Sequence, residues 1–223
     1  MQIWKLKDLR KKILFVLSML IIFRVAAHIP IPGINTGNLT EFFESNQILG
    51  LLNVFSGGGM QNFSVVMMGV APYITASIIF QLLAMIIPKL EELSKAPGGR
   101  EKINMYTRIA TVPLAIMQAY GMIAILRQSP KPIIEDVSLF NMVAMLITIT
   151  AGTVFLMWIG ELITEKKIGN GISLLIFAGI IVRVPSIIQQ AIVNFDQQQV
   201  INLLIFGIIA VVTIIGVVII TEG

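Results

Sequence analysis

The sequence predicts an all-α polytopic membrane protein with six spanning helices and a short re-entrant helix between the first and second. Three observations predict it. Hydrophobic residues make up 56% of the 223 positions and charged residues only 13%, and the mean hydropathy is +0.89, well above ordinary globular usage. Six apolar stretches reach the roughly 20 residues that a helix needs to cross the hydrocarbon core, where the helix alone satisfies its own backbone. Between the first two, a shorter apolar run is cut by three consecutive glycines at 57–59.

The first stretch, about 13–29, carries Arg24 and has some signal-peptide character. No small-residue cleavage site follows it, and the PIPG turn at 30–33 reads as a helix stop, so it counts as a span. The others lie at about 65–87, 109–126, 140–160, 171–190 and 200–220. The segment IPIPGINTGNLTEFFESNQ (29–47) reads as a turn-rich connection, PKLEELSKAPGGREK (88–102) as a polar solvated loop and TEKKIGNGIS (164–173) as a tight turn before a new helix. Lysine and arginine fix the direction. Lys5, Lys7, Arg10, Lys11 and Lys12 precede the first span, Lys89, Lys95, Arg100, Lys102 and Arg108 separate the second from the third, and Lys166 and Lys167 separate the fourth from the fifth. The alternate connections carry Arg127 and Lys131, with Arg183 near the end of the fifth span. The positive-inside rule therefore puts the N-terminus in the cytoplasm and accounts for most of the net charge of +4.

Several chemistries find no support. Cysteine is absent and His28 is the single histidine, so neither thiolate chemistry nor a multi-histidine metal site is available, and no cofactor is implied. The 12 acidic residues fall in connections or at span ends, which leaves no carboxylate inside a span for ion coupling. No GxSxG, HExxH or phosphate-binding glycine loop occurs, and the chain reads as a non-enzyme.

What remains is neutral. Val70, Ile74 and Ile78 share one helical face, with Tyr73, Ser77 and Gln81 alongside, and Ile176 and Ile180 stack similarly; rows of this kind ordinarily pack against helices or lipid. Gln81 and Gln118 have the reach to bond across helices. The run QILGLLNVF supplies about nine residues, near half a bilayer, before SGGG releases the backbone. A half-span followed by such a break either lines a cavity or lies in the outer interface as an amphipathic stretch.

PIPGI at 30–34, LNVFSGGGMQNFSVVMMGVAPYITASIIFQLL at 52–83, GGREKINMYTR at 98–108 and TVFLMWIGELITEKKIGNGISLLIFAGII at 153–181 together resemble the SecY family, channel subunits of bacterial protein translocases. The resemblance runs along nearly the whole chain. It implies a protein-conducting channel of the bacterial cytoplasmic membrane, built as two inverted halves of five spans that close like a clamshell. Residues 1–190 would be the first half and 191–223 an outer loop and sixth span beginning the second. It matches 49–63, with Leu51, Leu52, Asn53, Val54, Phe55, Ser56, Gly57, Gly58 and Gly59, to the plug that seals the outer funnel. It matches Val70, Ile74, Ile176 and Ile180 to an apolar pore ring, and Thr75, Ile78, Gln81 and Gln118 to the lateral gate. Implied partners are small membrane subunits of the SecE and SecG type, a SecA motor or ribosome, signal sequences and nascent polypeptides, and the bilayer itself. A secondary transporter with a discontinuous helix and a nonconducting truncated fragment are the competing expectations.

Overall fold

The computed structural model describes residues 7–46, 53, 56, 58–134, 138–182, 184–185, 189 and 197–222. The chain forms two compact units, Met1–Val182 and Arg183–Gly223. In the first, helices α1 (Lys7–Ala26), α2 (Thr36–Ser45), α3 (Ala71–Ile86), α4 (Pro88–Lys95), α5 (Gly99–Arg127), α6 (Leu139–Glu165) and α7 (Gly171–Ile181) follow in order. The second contains α8 (Gln197–Glu222). Among the described residues the only β pairing is two isolated bridges, Pro30 with Ser64 and Ile34 with Ile134. The protein is an all-helical membrane protein.

Of the described helices, α5 and α6 are each long and apolar enough to cross a bilayer. The pair α3 and α4 would make a third span if taken together, but it bends by 105° at Ile87. Pro88 opens α4 and has no amide to continue the ladder of α3, which accounts for the bend. The polar stretch 88–102, expected as a loop, is thus helical on both sides of a turn at 96–98. Glu91 and Lys95 form an i,i+4 pair at 2.6 Å in α4, and Gly98, at φ 74°, separates α4 from α5. The outer connection also holds a helix. Asn35 caps α2 by accepting from the Asn38 amide at 3.1 Å, and Leu39 and Phe43, one turn apart, are buried beneath it.

The stretch 65–87 departs most from expectation, because helix begins only at Ala71. Residues 58–70 fold as consecutive tight turns, with amide-to-carbonyl bonds Phe63 to Met60 (3.0 Å), Met67 to Ser64 (2.9 Å) and Gly69 to Val66 (2.9 Å). Bonds from the Ile31 amide to the Phe63 carbonyl (2.9 Å) and from the Val65 amide to the Ile29 carbonyl (3.0 Å) tie these turns to the segment after α1. The turns rest on α6. A Cβ added at Gly152 would lie 1.8 Å from the Val65 carbonyl oxygen, so only glycine admits this contact. Gly152 is the middle residue of the 27-residue α6, about 20 Å from either end. Irregular backbone therefore sits at mid-depth of a spanning helix, buried in protein as a bilayer requires.

Two apolar clusters hold the first unit. One gathers Leu39, Phe43, Phe63 and Met67 with Ile123 and Leu126 of α5 and Ile149 of α6. The other joins Val16 and Phe23 of α1 to Leu156, Ile159 and Ile163 of α6, Leu175 of α7, and Val66 and Val70. At the end carrying Lys166, called the basic end below, that ammonium stands 4.6 Å from the Phe15 ring centroid and links α6 to α1.

Candidate functional site

The first residues of α3 emerge directly from the turn layer. Val70 is its N-cap, with φ −98° and no side-chain capping bond, and Pro72 in the first turn presets the helical φ. Val70 is buried at 6% exposure, and Ile74 of α3 and Ile176 of α7 pack partly buried against the same cluster. Three of the four ring positions thus border one apolar mass. Ile180, one turn beyond Ile176, is 37% exposed on α7.

Below that mass, α3, α5, α6 and α7 enclose a cavity of about 800 Å³. Its apolar wall includes Ile74, Ile78 and Ile176, and its polar wall includes Gln81, Asn104, Arg108 and Glu161. Arg108 and Glu161 form an ion pair between α5 and α6, the arginine side chain 48% exposed and the glutamate 22%. Tyr73 lines the same cavity from α3. The sequence reading left Arg108 in a loop and Glu161 at a span end; here Arg108 is in the third turn of α5, and Glu161 is a turn inside α6. Both occupy the first polar turns next to apolar stretches, a local signal for each residue but not for their pairing.

The gate positions divide. Gln118 of α5 donates to the Thr75 hydroxyl of α3 at 3.4 Å, a long bond that joins two of the four expected residues across a helix interface. Thr75 also donates to the Ala71 carbonyl at 3.0 Å. Gln81 donates within α3, to Ser77 at 3.1 Å, and Ile78 is 51% exposed.

Of the plug positions, Leu51, Leu52, Val54, Phe55 and Gly57 lie outside the described residues. The rest belong to a compact hydrogen-bonded turn. Asn53, 2% exposed, donates its amide to the Gln61 side chain at 3.2 Å and accepts from the Gln61 backbone at 3.0 Å. Ser56 donates to the Asn53 carbonyl at 3.0 Å and accepts from the Met60 amide at 3.2 Å. Gly58 has φ 86°, and a Cβ at Gly59 would stand 3.0 to 3.3 Å from the Ser64 hydroxyl and the Val66 and Ser56 carbonyls. Glycine is needed at 58 for a left-handed turn and at 59 for close packing. Among the described residues no group of three acidic or histidine side chains assembles as a metal site.

This arrangement of turns seated at the middle of a spanning helix, above a partly polar vestibule, accompanies clear sequence kinship. The SecY family model matches residues 64–223. The protein translocase subunit SecY of Streptomyces galbus is 45% identical over 192 residues, covering 80% of this chain and 44% of its own length. That of Corynebacterium glutamicum is 44% identical over 197 residues, covering 83% and 45%, and that of Mycobacterium tuberculosis strain H37Rv 45% identical over 192 residues, covering 80% and 44%. The chain therefore spans less than half the length of these curated relatives. It belongs to the SecY family.

Proposed function

We propose that this chain supplies one wall of a protein-conducting channel, which passes unfolded polypeptides across the bacterial cytoplasmic membrane and releases apolar helices sideways into lipid. The observation that carries the reading is the buried turn layer 58–70, packed on Gly152 at the middle of α6, with Val70, Ile74 and Ile176 around one apolar mass just beneath it. A spanning bundle gains nothing from irregular backbone at that depth unless the segment beside it closes or lines a pathway. A constriction of branched aliphatic side chains holds back ions by dewetting and gives a moving polypeptide no polar group to adhere to.

In this reading Val70, Ile74, Ile176 and Ile180 contribute to the ring, 49–63 to the plug, and Thr75, Ile78, Gln81 and Gln118 to the lateral gate. Residues 1–190 act as one half of the clamshell and 191–223 as the beginning of the other. The basic end, which carries Lys89, Lys95, Arg100, Lys102, Lys166 and Lys167, faces the cytoplasm together with the N-terminus. There a SecA motor or a ribosome delivers signal sequences and nascent chains, while small subunits of the SecE and SecG type brace the assembly in the bilayer. The channel itself needs no cofactor and makes no covalent bond. The test is site-specific crosslinking from single cysteines at Ile74 and Ile180 to a stalled translocating chain in membrane vesicles; adducts are expected at both positions, and none at either would overturn the pore reading.

A further inference from the structure

The attachment of α5 is uneven along its length. Its large buried side chains, Met122, Ile123 and Leu126, all lie in its last two turns, inside the cluster that also contains Met145 and Ile149 of α6. Nearer the basic end, α5 buries only the small residues Gly99, Thr107, Thr111 and Ala115. Ile116 and the face of α6 from Val143 to Trp158 border an open apolar groove of about 710 Å³. Small buried residues let helix backbones approach closely, but they place no long side chain into the neighbour to fix one position as the large residues of the apolar end do. At the basic end α5 and α6 are bridged by the Arg108–Glu161 ion pair. Meanwhile α3, which buries only Pro72 and Ala76, packs more extensively on α5 than on α6 and is bonded to it through Gln118 and Thr75.

We propose that Arg108 and Glu161 act as a latch, and that α5 pivots on its apolar end and carries α3 with it when this latch is released. Glu161 is the more enclosed partner, so removing Arg108 leaves an unpaired carboxylate whose hydration improves as the helices part. The Arg108–Glu161 pair is thus a positioning device. It sets the width of the vestibule that Ile74, Ile78 and Ile176 line with it. The lever stands on the contacts of α5 with α3 and α6; its use as a gate control rests on the channel reading.

The chain contains no cysteine, so introduced labels are unambiguous. Nitroxide pairs at Met105/Ile168, across the basic end, and at Ile125/Phe140, across the apolar end, use exposed positions. In the full protein reconstituted in vesicles, R108Q is expected to widen the Met105/Ile168 distance distribution by several ångströms and to leave Ile125/Phe140 unchanged. The charge-reversed double variant R108E/E161R restores the original distance, which a general loss of packing would not do. Unchanged distances at the basic end, equal changes at both ends, or failure of the double variant to restore them would each overturn the latch. Ion flux through the same vesicles separates the two ideas: a widened α5 with wild-type flux leaves the lever standing and removes its link to the gate.

Discussion

The two ends of the first unit are built from the same helices yet held by different forces. At the apolar end, Leu39, Phe63, Ile123, Leu126, Ile133 and Ile149 are almost wholly buried, and the connecting segments 29–35 and 58–70 are bonded through their backbones. At the basic end, α3, α5, α6 and α7 surround a cavity of about 800 Å³, bridged by Arg108 and Glu161. Close packing leaves a region few alternative arrangements, because each side chain fills the space its neighbours define. A polar, water-accessible vestibule has no such constraint, and its geometry depends on a few specific pairs. The difference teaches what fixes each region: the turn layer is held by a close-packed core, and the vestibule by a few specific contacts between its walls.

Substitutions that strike the packed end should therefore cost most. Phe63 is 0% exposed and sits at φ 44°, in left-handed backbone that a bulky residue adopts only when its surroundings hold it there. Phe63→Ala removes that anchorage from the centre of the apolar cluster, and a loss of about 3–5 kcal/mol is expected in detergent-solubilised unfolding. A cost below about 1 kcal/mol would mean that the turn layer is not held by its core.

The next contrast lies within one helix. A Cβ at Gly152 meets a backbone carbonyl at 1.8 Å, whereas a Cβ at Gly160 meets the end of the Ile172 side chain at 2.5 Å. A carbonyl in a bonded turn cannot step aside, but an isoleucine methyl can change rotamer. Gly152→Ala is expected to cost about 1–3 kcal/mol or more and Gly160→Ala clearly less. Equal thermal shifts for the two variants would show that the turn layer yields as easily as a side chain.

The apolar stretches of the sequence locate most of the helices, because hydropathy reports burial in lipid or protein directly. It fails where apolar residues are not helical. Val65, Val66, Met67 and Met68 look like the start of a span, yet they form turns: the Val65 and Met67 amides donate to the Ile29 and Ser64 carbonyls, and the Val66 and Met68 carbonyls accept from the Gly69 and Ala71 amides. Hydropathy cannot separate these two ways of burying the same side chains; Gly69, at φ 57°, and Pro72 were the local signs of a late helix start. The opposite failure occurs in α2 and α4, where polar residues hid short helices whose Asn35 cap and Glu91–Lys95 spacing were readable. The Arg108–Glu161 pair could not be read from local spacing at all, because its partners meet only through the antiparallel packing of α5 on α6. Val70 and Ile74 were visible as part of an apolar row, but their packing in one cluster with Ile176 depends on the α6–α7 turn.

That turn offers a milder test of the basic end. Lys166 lies over Phe15 at 4.6 Å, joining α6 to α1 beside the vestibule. Lys166→Ala is expected to cost about 0.5–1 kcal/mol, and Lys166→Met, which keeps the aliphatic stem and loses the charge, should cost nearly as much if the ring face is what holds the ammonium. If the methionine variant were as stable as the parent, the contact would be one of packing and not of charge.

The smallest effect belongs to a contact of the same chemistry as the latch, placed at the other end. Lys131 meets Glu41 at 2.5 Å, joining α2 to the connection before α6, but both side chains are well exposed, 58% and 61%. Water and salt already solvate these charges, so Lys131→Ala is expected to change stability by no more than about 1 kcal/mol, and by less as ionic strength rises. Arg108 and Glu161 differ chiefly in being more enclosed, 48% and 22% exposed. If unfolding at low and high salt found the two pairs equally weak and equally salt-sensitive, burial would not distinguish them, and the vestibule would have to owe its shape to the packing of α3 on α5 alone. A larger and less screened contribution from Arg108 is the outcome expected when the ion pair, and not the core, holds the basic end.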